Sequence, residues 1–330
     1  MSVTAAEVAQ ALGLSQPTVS RALAGSPLVS ETTRRRVEDA ARRMGYRPNA
    51  AGRSLRAGRH GAIGVVVPDL GNAYGAAIAK GALDAVRERG DQLLVTDSSG
   101  TPDGELAAFE TLATRADGIL LVAPRTLDDQ LTEALASYRP AVVVGRAVDG
   151  LDCVLADEAP AVGAVLDHLT ELGHRRIGYQ GGPVDVPSEI LRTHALAAHL
   201  AVRPDVELVR LETLGTTPAD GARAATEVVA KGLSAVIAFN DQCAVGLVGG
   251  LRVLGLAVPE QVSVVGWDDS PFARLFPPHL TTVHMAMDAL AERAVARLYG
   301  LIADPTAAFT VEQVPTSLVV RASTAPPPVG

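Results

Sequence analysis

The sequence predicts a small all-α helix-turn-helix head joined to an α/β core of two doubly wound parallel-sheet subdomains. Three observations lead there. Two short capped helical patterns, separated by a glycine turn, lie at the start of the chain. From Gly61 onward, β-branched runs alternate with amphipathic helical patterns, too many times for one sheet. The charge divides at the same place: residues 1–60 hold ten arginines against four acids, about +6, in a chain whose net charge is −8, so the remainder carries about −14.

In the head, Thr4 and Glu7 have the spacing of a capping box, which starts a helix at Ala5. Val8, Ala9 and Leu12 give that helix one apolar side, and Gly13 ends it. Ser15 caps a second helix with Pro17 in its first turn, where a missing N–H costs little. Val19, Ala22 and Leu23 face inward, which leaves Gln16, Pro17, Thr18, Ser20 and Arg21 on or near the exposed side. Two such helices form the unit whose second member enters a DNA major groove; an ordinary helical hairpin shares the pattern. The coincident basic charge favours the nucleic-acid reading. Ser30 caps a third helix over 31–44, with Val37, Ala40, Ala41 and Met44 inward and Gly45 as its stop. The segment 49–58 has a cap in Asn49, is weakened by Gly52, and is too short to be helical without a partner. Within it, Leu55 is an apolar residue among arginines with no core to join.

In the core, strands are expected at 62–67, 92–96, 118–122, 141–144, 152–156, 176–179, 235–239 and 263–265. Helices are expected at 74–89, 105–115, 128–137, 161–172, 188–201, 220–230 and 244–254. The Pro-rich tail, 323–330, is expected to be disordered, and no heptad-patterned helix follows that could join dimers into tetramers. Cys153 and Cys243 sit far apart in apolar stretches and read as buried thiols in a reducing compartment. No apolar run approaches transmembrane length and the N-terminus lacks a signal-peptide layout, so the expected location is the cytoplasm and no membrane partner is expected.

The chemistry-bearing residues point to binding. No GxSxG elbow, P-loop or HExxH pattern occurs, and the seven histidines show no metal-ligand spacing. No catalytic residue, metal or cofactor is therefore expected. His174 reads as a structural residue joining a helix to the next strand. Asp268 and Asp269 are adjacent, and adjacent loop carboxylates seldom converge on one bond. Ligands of doubly wound sheets bind beyond the carboxyl ends of the strands. Those ends carry Asp69 and Asn72, Asp97 and Ser98, Arg125, Arg146, Asp157, Asn240 and Asp241, and Trp267 with Asp268 and Asp269. Short polar groups beside an aromatic suit a hydroxyl-rich ligand, because each buried hydroxyl needs partners.

The segments VAQALGLSQPTVSRALAG, VSETTRRRVEDAARRMGYRPNAAGRSLRAG, IGVVVPDLGN, ELGHRRIGYQGGP, AFNDQCAVG, VPEQVSVVGWDDS and PPHLTTV resemble the LacI/GalR family of transcriptional regulators over nearly the whole chain. The resemblance implies a DNA-binding head over 1–47, a hinge helix or linker over 48–60, and a periplasmic-binding-protein-like core over 61–330. The core would divide into an N-subdomain (about 61–158 plus 286–318) and a C-subdomain (about 159–285 plus 319–325). It also implies a homodimer on a pseudo-palindromic double-stranded operator, repressing under control of a small effector, a sugar or sugar derivative. Gln16 and Pro17 would open the recognition helix at base-reading positions, with Arg21 one turn on; Gln pairs with adenine and Arg with guanine. Thr18, Ser20 and Asn49 would hold phosphates, with Thr4, Ser15, Arg53 and Arg56 beside them on the DNA. Leu55 matches the hinge leucine that wedges into the minor groove. The effector positions match Tyr74, Arg192, Asn240 and Asp268, then Ser188, Arg146, Trp267 and Asp157. Arg192 could clasp two ligand oxygens in its fork or form an ion pair between the subdomains with a residue such as Asp268. Where relatives carry two aromatics, this chain has Asn72-Ala73-Tyr74-Gly75, which suggests a roomier pocket and a ligand as large as a disaccharide. The rival readings are an activator or corepressor-dependent regulator of the same family, and a sugar-binding or sugar-modifying protein with an appended basic head.

Overall fold

A computed structural model describes residues 3–23, 26–46, 59–136, 138 and 140–328. The chain forms two compact units, Met1–His60 and Gly61–Gly330. Of the expected DNA-contacting residues, Asn49, Arg53, Leu55 and Arg56 lie outside the described residues, as does most of the expected hinge.

The head holds α1 (Ala5–Leu12), α2 (Gln16–Leu23) and α3 (Glu31–Met44). Thr4 and Glu7 close the capping box reciprocally: Thr4 N–H donates to Glu7 Oε2 at 2.6 Å and Glu7 N–H to Thr4 Oγ1 at 3.3 Å. Gly13 and Gly45 end α1 and α3 in the left-handed conformation, which glycine adopts without a Cβ clash. Val8, Val19 and Val37 are fully buried and join the three helices in one apolar cluster with Ala9, Ala22, Val29 and Ala40.

In the core, the first sheet contains β1 (Ala62–Val67), β2 (Gln92–Asp97), β3 (Gly118–Val122), β4 (Ala141–Val144) and β5 (Asp152–Asp157). Between these strands run α4 (Ala73–Glu88), α5 (Pro102–Ala113) and α6 (Asp128–Ala136). The chain then forms α7 (Glu158–Glu171), β6 (Arg176–Gln180), α8 (Pro187–Leu200), β7 (Glu207–Arg210), α9 (Pro218–Ala230), β8 (Ala235–Ala238), α10 (Asp241–Val253) and β9 (Ser263–Asp268). The turn α11 (Phe272–Leu275) and β10 (Thr281–His284) follow, then α12 (Met287–Ala303), β11 (Val311–Pro315) and β12 (Ser317–Val319). The first sheet has the order β11-β5-β4-β3-β1-β2 and the second β12-β10-β9-β8-β6-β7. All pairings are parallel except β12 on β10.

The chain crosses between the sheets three times: after β5, after β10, and at Thr316. The last crossing comes before the expected 318, because Ser317–Val319 already pairs with β10. The sequence pattern passed over β7 and everything after β9. Of these elements α12 matters most: Leu290, Ala291, Ala294, Val295 and Leu298 are fully buried against α4 and the first sheet. A single apolar cluster joins the subdomains, from Ile63 and Val65 in β1 to Ile177, Val265 and Trp267 in the second sheet. Among the described residues, no helix is long and apolar enough to cross a membrane, and Cys153 and Cys243 are buried and free.

The expectation of a disordered tail is overturned for its described part. Ser323 is fully buried and its Oγ donates to the Val264 carbonyl at 2.5 Å and accepts from Thr281 N–H at 2.8 Å. His174 is buried too, with Nε2 at 2.9 Å from the Ala325 carbonyl and Nδ1 at 2.9 Å from Ser234 Oγ. Burial pushes the His174 ring below the usual imidazole range, which keeps it neutral. The tail stays in place because its backbone groups satisfy buried partners on the second sheet. Removing residues 322–330 should therefore lower the thermal midpoint by several degrees, since each orphaned buried group costs about 1–3 kcal/mol. A truncated chain that melts with the intact one would show that the tail contributes nothing.

Candidate functional site

Two surfaces carry the chemistry. On the head, Ser15 Oγ accepts from Thr18 N–H at 3.3 Å and opens α2. Val19 and Ala22 turn into the core, so the helix presents Gln16, Pro17 and Arg21 to solvent, with Thr18 and Ser20 half-buried beside them. Thr4 and Ser15, at the starts of α1 and α2, are exposed. An exposed amide, a pyrrolidine ring and a guanidinium on the first turns of a short helix can reach base edges, while the flanking hydroxyls can reach phosphates.

In the core, the carboxyl ends of both sheets face one cavity of about 190 Å³. From the first sheet come Asp69, Asn72 and Tyr74 after β1, Ser99 after β2, Arg125 after β3, Gly145 after β4, and Glu158 after β5. From the second come Ser188 and Arg192 on α8, Thr216 after β7, Asn240 after β8, Asp268 at the end of β9, and Met285 after β10. Phe239, Val186, Ala123 and Ala156 supply apolar surface.

Arg192 is the electrostatic centre of this cavity. It is buried, its Nε donates to Glu158 Oε2 at 2.9 Å, and one terminal nitrogen donates to the Phe239 carbonyl at 2.6 Å. Its guanidinium lies 3.9 Å from the centre of the Trp267 ring and 5.3 Å from that of Phe239. Burial opposes the charge, but Glu158, together with Tyr179 and Asp268, more than offsets it and Arg192 holds its proton more tightly than a free arginine. Asp268 faces the same space at φ 110°, a conformation that side chains rarely adopt. Burial first, then the Asp241 charge, push its carboxyl well above the usual range, with Arg192 pulling the other way. Tyr74 is pushed up by burial and by Glu158 and Asp268, so its hydroxyl stays a neutral donor. A Cβ at Gly145, which has φ 95°, would lie 2.9 Å from the Tyr74 hydroxyl oxygen. Glycine there makes room for the tyrosine.

The head residues 4–49 match the model for bacterial regulatory proteins of the lacI family, and residues 166–324 match a periplasmic binding protein-like domain. The HTH-type transcriptional regulator GalS of Salmonella typhimurium is 32% identical over 88% of this chain and 88% of its own length. The chain belongs to the LacI family. The regulator MalR of Streptomyces coelicolor is 33% identical over 99% of this chain and 98% of its own. Among solved structures, a lac repressor dimer bound to operator and the anti-inducer ONPF superposes with a TM-score of 0.87, at 26% identity, over 98% of this chain and 100% of that one. A CelR–cellobiose complex does so at 0.70, with 28% identity, over 97% and 99%. This LacI-family member is thus a DNA-binding transcriptional regulator, not an enzyme, and its fold is lac repressor-like.

Within that LacI-family core, Tyr74, Ser188, Arg192, Asn240 and Asp268 line the cavity, whereas Arg146, Asp157 and Trp267 do not. Arg146 follows the turn at Gly145 and bends away, donating to Asp128 Oδ1 at 2.7 Å and the Thr126 carbonyl at 2.5 Å. Asp157 falls between the cavity residues Ala156 and Glu158, and the pleat sends alternate side chains to opposite faces. Its carbonyl accepts from Thr316 Oγ1 at 2.6 Å. Trp267 alternates with Asp268 in the same way: it is 1% exposed and its indole N–H points at Met285 Sδ, 3.1 Å away. It supports Arg192 from behind.

Asn240 lines the cavity with a largely committed amide, which accepts from Cys243 N–H at 2.8 Å and donates to the Thr216 carbonyl at 3.0 Å. The ion pair imagined between Arg192 and Asp268 is made with Glu158 instead. Asp269 turns away to Arg274 at 2.8 Å, His284 at 3.2 Å and Arg321. Asp241 is fully buried between Thr282 and the Ser270 amide, its pKa pushed up to about 6 by burial against those hydrogen bonds. Glu158 was missed by sequence reasoning; the parity of β5 was the available signal.

Proposed function

We propose that this protein is a repressor that binds a pseudo-palindromic operator as a homodimer and responds to a neutral, monosaccharide-sized sugar in the core cavity. The observation that carries the ligand class is the cavity itself: hydroxyl, carboxyl and guanidinium groups set between apolar walls, in about 190 Å³. Small-molecule pockets usually start near about 300 Å³, so the room is for one sugar ring. The roomier, disaccharide-sized pocket inferred from Asn72-Ala73-Tyr74-Gly75 is not supported, because Tyr74 reaches across to Gly145 and fills that wall. A phosphosugar suits the cavity poorly: Arg192 is taken by Glu158, and Asp69 adds negative charge.

The operator and dimer follow from kinship with the lac repressor dimer and from the exposed Gln16, Pro17 and Arg21. As a DNA-binding regulator with two free buried thiols, the protein works in the cytoplasm. The effector acts by favouring one arrangement of the two subdomains, and thereby one pairing state of the hinge segments 48–60 of a dimer. Linkage makes the coupling reciprocal, so operator DNA weakens inducer binding by the factor that inducer weakens operator binding.

A thermal-shift screen of monosaccharides, disaccharides and phosphosugars tests this. A fitting monosaccharide at about 100 times its dissociation constant should stabilise the core by about 2.7 kcal/mol. Stabilisation only by phosphosugars or disaccharides would overturn the ligand class.

A further inference from the structure

Several contacts cross the cavity from one subdomain to the other, and they differ in how far water reaches them. The Arg192–Glu158 pair, which ties α8 to the first residue of α7 just past the crossing from β5, is buried, with side chains 2% and 5% exposed. Next to Arg192 on α8, Leu191 packs on the apolar cluster under β1, β3 and β4 of the first sheet. On the other side, Ala73 N–H points at Gln242 Oε1, 3.4 Å away. At the rim, Arg125 of the first subdomain reaches Asp185 of the second, with 3.4 Å between a terminal guanidinium nitrogen and Oδ2. These side chains are 25% and 61% exposed.

Both charges stand on rigid supports. The buried Glu105 carboxylate accepts the Arg125 N–H at 2.8 and 2.9 Å and the Thr126 N–H at 2.9 Å. The Arg125 guanidinium lies over Gly100, where a Cβ would come within 3.5 Å of it. Asp185 sits in the turn that Val186 N–H closes onto the Pro183 carbonyl at 3.0 Å, directly before α8. Two opposite charges carried on anchored backbone thus meet across the mouth of the cavity, and their contact is long and open to solvent.

We propose that Arg125 and Asp185 form the gate of the ligand cavity, an ion pair made when the subdomains close and broken to admit or release ligand. The buried contacts hold the pivot, while the rim pair is the one that water and salt reach first. The gate rests on the cavity being the ligand site, as proposed above, but its test needs no ligand, so its failure leaves the sugar reading standing.

Trp267 reports on the gate. It is the one tryptophan of the chain, it is buried, and it lies behind Arg192, which itself lines the cavity. Opening the cleft uncovers this stack to acrylamide. In the full-length protein, R125Q and D185N should each raise the acrylamide quenching constant, within the roughly two- to fivefold shift in open-to-closed ratio that losing a half-exposed ion pair permits. Added salt should raise quenching of the wild type and leave both variants unchanged. The charge-exchanged protein R125D/D185R should return toward wild-type quenching, which a merely structural role for either side chain would not produce. Wild-type quenching in both single variants overturns the gate, as does a charge-exchanged protein quenched as strongly as they are. If a single variant fails to fold, the salt series and the exchanged protein still decide.

Discussion

Arg192→Ala should abolish effector binding and lower core stability by about 3–5 kcal/mol, the usual cost of removing one partner of a buried ion pair. The loss has two parts, and they can be separated. Binding fails because the guanidinium is the cavity's only buried cation among the described lining residues, held between Trp267 and Phe239. Stability fails because Glu158 is left buried without its cation. The double variant Glu158→Gln/Arg192→Met removes both charges, so it should regain most of the stability while still failing to bind. The single variant also carries a pH signature. Burial, with the Glu189 charge, holds the Glu158 carboxyl above its ordinary value even beside Arg192, which pulls it down only in part. Without Arg192 the folded-state pKa rises further above the unfolded one. The deficit is then greatest near neutral pH and shrinks as pH falls toward the unfolded carboxylate value, where both states hold the proton. Urea midpoints at about pH 7 and about pH 5 should show this partial recovery in Arg192→Ala and not in the double variant. Calorimetry with the sugar that most stabilises the wild type checks the other half; wild-type affinity in Arg192→Ala would remove this residue from the site.

What could be read in advance follows the range of the forces involved. The head was legible because capping is local: Thr4 with Glu7, Ser15 with Thr18 and Gly45 after Met44 all act within a few residues. The alternation of strands and helices was legible for the same reason. The partition of the elements into two sheets rests on pairings between distant segments, such as Val311–Pro315 beside β5, and no local pattern encodes them. Helix α12 was legible yet passed over, since Leu290, Ala291, Ala294, Val295 and Leu298 repeat at helical spacing. At the cavity, the rule that ligands lie beyond strand ends found the right loops, but it is blind to parity. One position separates Asp157 from Glu158 and Trp267 from Asp268, and the pleat decides which side chain faces the ligand. Arg146 failed for another reason: the positive φ of Gly145 redirects the chain, and Thr126 before α6 and Asp128 at its start then hold the guanidinium. The tail failed because proline content speaks to stiffness, not to whether buried partners await the backbone.

Operator binding should fall about 10³-fold or more between about 50 and 200 mM salt, because two basic heads displace many counterions from the duplex. Not every head arginine contributes equally. Arg34 and Arg35 pair with Glu31 at 3.2 and 3.1 Å, and Arg42 pairs with Asp39 at 2.6 Å. Arg35 and Arg42 are exposed despite these pairs, and so are Arg21, Arg36 and Arg43, whose charge Glu31 and Asp39 do not engage. Against that background Leu55→Ala is the informative change. If Leu55 acts as an apolar wedge it carries no charge, so its loss should weaken specific operator binding about 10- to 100-fold at every salt concentration and leave the salt slope unchanged. Arg53→Ala and Arg56→Ala should do the opposite if they hold phosphates, lowering the slope by about one for each phosphate that a protomer no longer neutralises. Effector affinity should stay at the wild-type value in all three. Parallel salt lines for Leu55→Ala would show that the hinge leucine acts by deforming the DNA; unchanged operator affinity would remove the wedge. A flat salt titration of the wild type would remove the basic head itself as the DNA-binding element, since the exposed arginines of a genuine phosphate-reading surface cannot be indifferent to ionic strength.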